Sequence, residues 1–470
     1  DTDQKRYVEG AAEAIYKGLK WAGINYDEGP DIGGPFGPYV QSERSELYKK
    51  YTEELVEKDK AYYCFCDEMT LETMRQQQIS QKQAPKYDGR CLKLSKEEIA
   101  KKLADKTPYV VRMKIPVGRT IIIDDLVRGK VAYKTEEIDD QVLLKSDGYP
   151  TYHLAVVVDD HLMKISHVTR TEEWLPSTPK HILLYEYFGW EIPQFAHLPL
   201  LLNADKTKMS KRKGDVAVED YIKKGYLPEA MVNYLAFLGW NPGGPSSGKA
   251  SAGKEKEIYS MEELLKDFDL KKVHKAGAVF SLEKLNWYNA YYIKQLSPNE
   301  LIEKILPYLK NFIETQNSKI KNQNDSSKFK IIKTGEEKDF NWLKKIVILE
   351  QERLQNLSET GEHIAFFFEL PAYDKTLLKW KEMTDEEIKN SLEISQKIIS
   401  EISDESFTLE KLKSALMPEA EKFKNRGELL WPLRVALSGQ KNSPPPFEIA
   451  EILRREESLV RIEKAIEKIN

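Results

Sequence analysis

The sequence predicts an α/β fold built on a parallel sheet, carrying a small antiparallel sheet and followed by a helical half. Three observations carry this. Residues 151–158 and 165–169 are apolar runs that read as buried strands, and helical spacing follows at 180–188, the alternation a parallel α/β sheet requires. Runs at 109–115, 120–123 and 130–133 alternate β-branched and polar residues, with turns at Gly118 and Gly129, as a small antiparallel sheet would. From about residue 218 a 3.6-residue period dominates, which is the signature of helices with one buried face.

Taken in order, residues 11–22 carry apolar groups at helical spacing. Residues 27–38 are rich in glycine and proline and predict a loop. Ser42 opens a helix through Lys58, and residues 69–82 form a polar helix. Ser95 and Glu98 stand at capping-box spacing ahead of another. In the second half, 304–313, 340–357, 385–400 and 446–469 read as helices. Residues 242–253, rich in Gly, Ser and Pro, read as a surface loop, and the polar stretch 316–330 as a linker.

Composition bounds the answer. The chain has 470 residues, 41% hydrophobic and 31% charged. At about 150 residues per domain this favours three domains with cores of their own, so disorder is excluded for most of the length. Lys plus Arg number 72 against 76 Asp plus Glu, a formal net charge of −4. A wholly basic nucleic-acid coat is excluded, a local basic face is not. No apolar run reaches the ~18 residues of a membrane helix. The three cysteines all lie between positions 64 and 91, which excludes a disulfide scaffold and fits a reducing compartment. A soluble, cytoplasmic protein is expected.

Four constellations could carry chemistry. Gly243, Gly248 and Lys249 match most of a phosphate-binding loop, but Ala250 replaces the required hydroxyl and no buried strand precedes it. Lys208-Met209-Ser210-Lys211-Arg212-Lys213-Gly214 is either a solvated basic loop or, following the apolar run 197–202, a loop at a strand end where α/β folds bind nucleotides. Tyr152 and Arg170 fall on the two predicted strands; an arginine at a strand end suits a carboxylate ligand or a structural ion pair equally. Asp160 and His161 are equally open. Cys64-x-Cys66 with Cys91 is either a zinc knuckle, with Tyr87, Asp88 or water as fourth ligand, or three buried thiols.

Lys208-Met209-Ser210-Lys211-Arg212 resembles the second signature of class I aminoacyl-tRNA synthetases. Tyr39-Val40-Gln41-Ser42-Glu43-Arg44, Tyr87-Asp88-Gly89-Arg90-Cys91, Asp147-Gly148-Tyr149-Pro150-Thr151-Tyr152, Val157-Val158-Asp159-Asp160-His161, Val168-Thr169-Arg170-Thr171-Glu172-Glu173-Trp174 and Trp431-Pro432-Leu433-Arg434 stand in the order and spacing of glutamyl-tRNA synthetases. The resemblance runs the whole chain and is closest to the bacterial form.

It implies an α/β Rossmann-type class I synthetase catalytic domain with an α+β insertion, followed by an all-α anticodon-binding region. The catalytic domain would hold 1–60 and 158–203, the acceptor-end-binding insertion 61–157, the signature loop and stem-contact domain 204–315, and the anticodon-binding domain 316–470. Glutamate and ATP, with Mg2+, would give glutamyl-adenylate, and the glutamyl group would pass to the 3′ end of tRNA-Glu. Lys208, Ser210 and Lys211 match the catalytic loop, with Lys211 on the ATP phosphates. Tyr152 and Arg170 match positions that hold L-glutamate. Arg353 matches the arginine that reads the third anticodon base. Cys64, Cys66 and Cys91 match zinc ligands; Lys93 stands where a histidine is expected, and Tyr87 matches the tyrosine that some relatives use instead. A monomer without membrane contact is implied.

The family also carries an N-terminal strand and helix with a His-Ile-Gly-like signature. Asp1-Thr2-Asp3 resembles the tail of that segment, and no histidine precedes position 60. A βα unit on the order of 40 residues is expected ahead of Asp1, and the chain as written is expected not to form glutamyl-adenylate at a useful rate. Two alternatives follow: a non-catalytic tRNA-binding paralogue, and the short enzyme that makes glutamyl-queuosine on tRNA-Asp.

Overall fold

The computed structural model describes residues 1–2, 8–209, 217–242, 256–314 and 328–469. They fall into two units, Asp1–Lys213 with Val232–Ser281, and Gly214–Met231 with Leu282–Asn470.

In the first unit, helix α1 (Ala11–Trp21) leads through the glycine- and proline-rich loop to α2 (Ser45–Glu57). There follow β1 (Ala61–Cys64), α3 (Glu68–Ser80), α4 (Lys96–Ala104), β2 (Val110–Met113), the hairpin β3 (Thr120–Asp125) and β4 (Gly129–Lys134), β5 (Val142–Leu144), α5 (Tyr152–Leu162), β6 (His167–Thr171), α6 (Thr178–Phe188) and β7 (Gln194–Leu198). The capping box of Ser95 and Glu98 opens α4 as the spacing predicts. β1-β2-β5 is an antiparallel sheet. A second, mixed sheet runs β4-β3-β7-β6, with β3 and β6 both parallel to β7. β6, α6 and β7 are thus a βαβ unit. Tyr48, Met113, Ile121, Leu154 and Leu183, all fully buried, are among the side chains of one core beneath both sheets.

Four expectations are corrected here. Residues 151–158 are not a strand: Tyr152–Leu162 is helix α5. A short apolar run fits a buried helix as well as a buried strand. Here Leu154, Ala155, Val157 and Val158 are buried together, a helical spacing. Packing on that face outweighs the strand preference of three successive valines. Residues 165–169 lie in or just before a strand, but β6 is half-exposed, and among the described residues it lies at the edge of its sheet. The three extended runs do not share one sheet: 110–113 pairs with β1 and β5, while the hairpin joins β7.

The fourth correction concerns the second unit. It is mostly helical: Asp385–Ser400, Gly427–Ser438 and Pro446–Ile469 pack on one another around Leu392, Leu433 and Ile462. It also holds a small antiparallel sheet of Ile313–Glu314, Lys328–Ile331 and Glu337–Asp339. The helix expected over 304–313 therefore ends early, as Pro298–Ile305 and a 3-10 turn at Pro307, whose ring removes a helical donor. The helix expected over 340–357 stops at Gln351, and buried Leu354 and Leu357 extend its apolar period past its end. Of the expected linker, 316–327 lies outside the described residues and Lys328 opens a strand. Most of the 242–253 loop, including Gly243, Gly248 and Lys249, is also outside them.

A buried ion pair fastens α5 to the entry of α2. Arg44 donates from Nε to Asp159 Oδ1 at 2.7 Å and from a terminal nitrogen to the Pro38 carbonyl at 2.8 Å. Tyr48 and Gln41 also donate to the Asp159 carboxylate, at 2.9 Å each. Removing one partner strands a buried charge. Arg44→Leu is expected to lower the unfolding free energy of this unit by about 3–5 kcal/mol, read by urea denaturation, and adding Asp159→Asn to recover part of it. An unchanged midpoint in the single variant would contradict this assignment.

Candidate functional site

α5 and β6 bring Tyr152 and Arg170 together. Tyr152 opens α5, not a strand, and is 43% exposed. Arg170 reaches from β6 and donates to its hydroxyl at 3.4 Å. The guanidinium also donates to Thr178 Oγ1 at 3.0 Å, to His181 Nδ1 at 3.1 Å and to His197 Nε2 at 3.3 Å. Trp174 stacks at a tilt on Tyr152, 4.5 Å between ring centres. Among the described residues no salt bridge joins a carboxylate to Arg170, although its charge reaches the buried Asp160 carboxyl.

The proton positions follow from that arginine, which can only donate. His181 must accept at Nδ1, so its proton is on Nε2, which lies 3.0 Å from His153 Nδ1. His197 must accept at Nε2, so its proton is on Nδ1, aimed at Asp125 Oδ2 at 2.6 Å. Asp125 and His197 are wholly buried. Burial pushes the Asp125 carboxyl up, but His197 and the backbone N–H groups of Arg128, His197 and Val127 together hold it below the usual carboxylate range. Burial, with Arg170 beside it, drives His181 well below the ordinary histidine value. Burial, then Lys180 and Arg170, lowers His153 to about 4. The His181 and His153 imidazoles stay neutral near pH 7.

Asp125, Thr178, His181 and His197 belong to no motif seen in the sequence. The available signal was a histidine inside an apolar strand and an aspartate ending an alternating one, since buried polar groups require partners. His161 stacks flat on Trp190, 3.8 Å between ring centres.

Lys208 follows a tight turn at Asn203–Thr207 and pairs with both Glu173 oxygens at 2.6 Å. Ser210 and Lys211 lie outside the described residues.

The three cysteines meet. Cys64, Cys66 and Cys91 bring their Sγ atoms within 4.8 Å of one another, all as free thiols. The Tyr87 hydroxyl sits 3.3 Å from Cys64 Sγ and 3.4 Å from Cys66 Sγ. Arg112 lies over the Tyr87 ring at 4.2 Å. Lys93 is exposed, at the end of the 3-10 turn that carries Cys91.

In the second unit, Arg353 lies just past a helix end. It donates to Glu350 at 2.7 Å and to the Asn442 carbonyl at 2.8 Å. It lines a cavity of about 700 Å³ with His363, Arg434, Lys441 and Asn442.

The chain, with this βαβ unit followed in sequence by a helical half, matches two family models. Residues 1–287 match "tRNA synthetases class I (E and Q), catalytic domain", and 300–466 match "Anticodon binding domain". The fold is that of a class I tRNA synthetase. Curated relatives include the glutamate-tRNA ligase of Chloroherpeton thalassium, 44% identical, and that of Clostridium kluyveri, 42% identical, each covering 100% of this chain and 90% of its own. A crystal structure of a glutamate tRNA ligase from Elizabethkingia meningosepticum in complex with its amino acid superposes with a TM-score of 0.82 at 36% identity, covering 100% of this chain and 92% of that one. The chain belongs to the glutamate-tRNA ligase family, and neither alternative reading is favoured.

Asp160, next to the Arg44 partner, offers a separate test. Burial and the Asp159 charge push its carboxyl up to about 7, with Arg170 opposing them. Against an unfolded value near 4, the folded chain holds this proton more tightly between pH ~4 and ~7. Its contribution is therefore present at low pH and lost as pH rises through 7. Asp160→Asn is expected to raise the Tm at pH 8 and leave it unchanged at pH 4, by calorimetry. A rise of equal size at both pH values would contradict this.

Proposed function

We propose that the protein joins L-glutamate to tRNA-Glu through glutamyl-adenylate, using ATP brought in with Mg2+. One observation carries this: the Arg170 guanidinium has neutral partners only, beside the Tyr152 hydroxyl. A cation so placed is completed by a carboxylate from outside. The names of the family's members support glutamate as that ligand.

In this reading a glutamate α-carboxylate oxygen attacks the α-phosphorus of ATP and pyrophosphate leaves. The terminal ribose hydroxyl of the tRNA then attacks the acyl carbon and AMP leaves. Positioning and electrostatics dominate such chemistry. Mg2+ neutralises phosphate charge. Lys208 exchanges Glu173 for the triphosphate, and Ser210 and Lys211 of the same signature act with it, Lys211 on the phosphates, so that cationic charge is gathered where phosphate charge develops. Arg353 reads the third anticodon base, its orientation supported by Glu350 and Asn442. The protein acts as a cytoplasmic monomer; no helix among the described residues is long and apolar enough to cross a membrane.

Zinc fits the cysteine cluster: three thiolates with an oxygen donor make a tetrahedral set. Cys64, Cys66, Cys91 and Tyr87 would hold it, and it would cross-link β1 to the turn that carries Cys91.

Two measurements test these readings. Protein expressed from its complete gene is expected to catalyse pyrophosphate exchange that requires both glutamate and tRNA-Glu. Arg170→Met should raise KM for glutamate about a hundredfold or more with KM for ATP little changed, as loss of a charge-assisted contact implies; exchange supported equally by glutamine would overturn the substrate. Protein purified without added zinc should contain about one zinc per chain, and Cys66→Ser should lose it. Less than ~0.2 zinc per chain would remove the site, since structural sites bind tightly.

A further inference from the structure

Arg170 is useful only if its planar head is aimed. The aiming comes from behind. Asp125 sits where β3 touches β7, opposite Phe195. Its carboxylate accepts from the backbone N–H groups of Val127, Arg128 and His197, which lie on two segments of the chain. It also takes the His197 Nδ1 proton, which leaves the Nε2 lone pair pointing at Arg170 Nε. His197 Nε2 lies 3.1 Å from Thr178 Oγ1, which itself accepts from Arg170. An imidazole of the other tautomer would place an N–H against the guanidinium.

We propose that Asp125 and His197, with Thr178, are positioning residues that aim the Arg170 guanidinium at the substrate carboxylate, Asp125 acting by fixing the His197 tautomer. Every partner they give Arg170 is neutral, so the arginine is oriented without being neutralised. An acid in place of His197 would orient it equally well and cancel the charge the substrate must meet. The relay thus separates two tasks that a direct ion pair would merge. The part that concerns substrate rests on glutamate being the ligand; the tautomer does not.

The chain has seven histidines, few enough for long-range 1H–15N spectra of histidine-labelled protein. The expected result at pH 7 is His197 protonated at Nδ1, with His181 and His153 protonated at Nε2. His197 protonated at Nε2, or at both nitrogens, would overturn the relay. Asp125→Asn is expected to shift His197 to the Nε2–H form, because the carboxamide can offer it a donor.

Kinetics of protein expressed from the complete gene give the second arm. Thr178→Val and His197→Met are expected to raise KM for glutamate about tenfold to a hundredfold, the range for losing an acceptor from a charged donor, with kcat and KM for ATP nearly unchanged. His197→Gln, which keeps an oxygen acceptor near the Nε2 position, should return most of the loss. Equal falls in kcat for all three, with Gln no better than Met, would reduce these residues to structural support. Absence of any glutamate-dependent exchange in the unaltered protein would sink the proposed substrate, while the tautomer spectra still decide the relay. Asp125→Asn need not be active, since the other three variants carry this arm.

Discussion

The catalytic unit depends on one buried carboxylate. Asp125 accepts from three backbone N–H groups and one imidazole, and it stands at the single register pair that joins the β3–β4 hairpin to β7. A charge with no exposure is tolerated only when its lone pairs are filled. Filling them here ties the turn after β3 to the middle of β7, and the same oxygens set the proton on His197. Fold and site therefore share one electrostatic requirement.

From that point the charges are arranged in contrast. Asp159 receives a full cation from Arg44 together with hydroxyl and amide donors, and is a closed structural pair. Arg170 receives only hydroxyls and imidazoles and remains open. Both arginines reach α5, Arg170 at Tyr152 at one end and Arg44 at Asp159 two turns on. Lys208 is intermediate, since it is paired with Glu173, but at the surface, where an ion pair is weak and easily exchanged.

Much of this was legible in the sequence, for identifiable reasons. The capping box at Ser95 and the helix at 385–400 announced themselves through local chemistry that needs no tertiary partner. The grouping of Cys64, Cys66 and Cys91 was readable because thiols are scarce in this chain, while Tyr87 was one of three candidates beside them until the family resemblance singled it out. What was misread depends on burial. Residues 151–158 could be strand or helix until their neighbours were known, and the period that ran on to 357 reflected Leu354 and Leu357 packing after the helix had stopped. Asp125, Thr178, His181 and His197 come from three separate elements, β3, α6 and β7, so no single spacing rule could have assembled them.

Helix α5 has one more consequence, for how this sequence can change over time. Tyr152 and Asp159 are seven residues apart, about 10.5 Å of helix rise, and point to nearly the same side. One residue added or lost between them would turn the second by about 100°, pulling Asp159 off Arg44 or Tyr152 off Arg170. Point substitutions at the six positions between them leave this rise and direction unchanged. Changes of length do not, so the segment should behave in descent as a fixed ruler whose letters vary and whose measure does not.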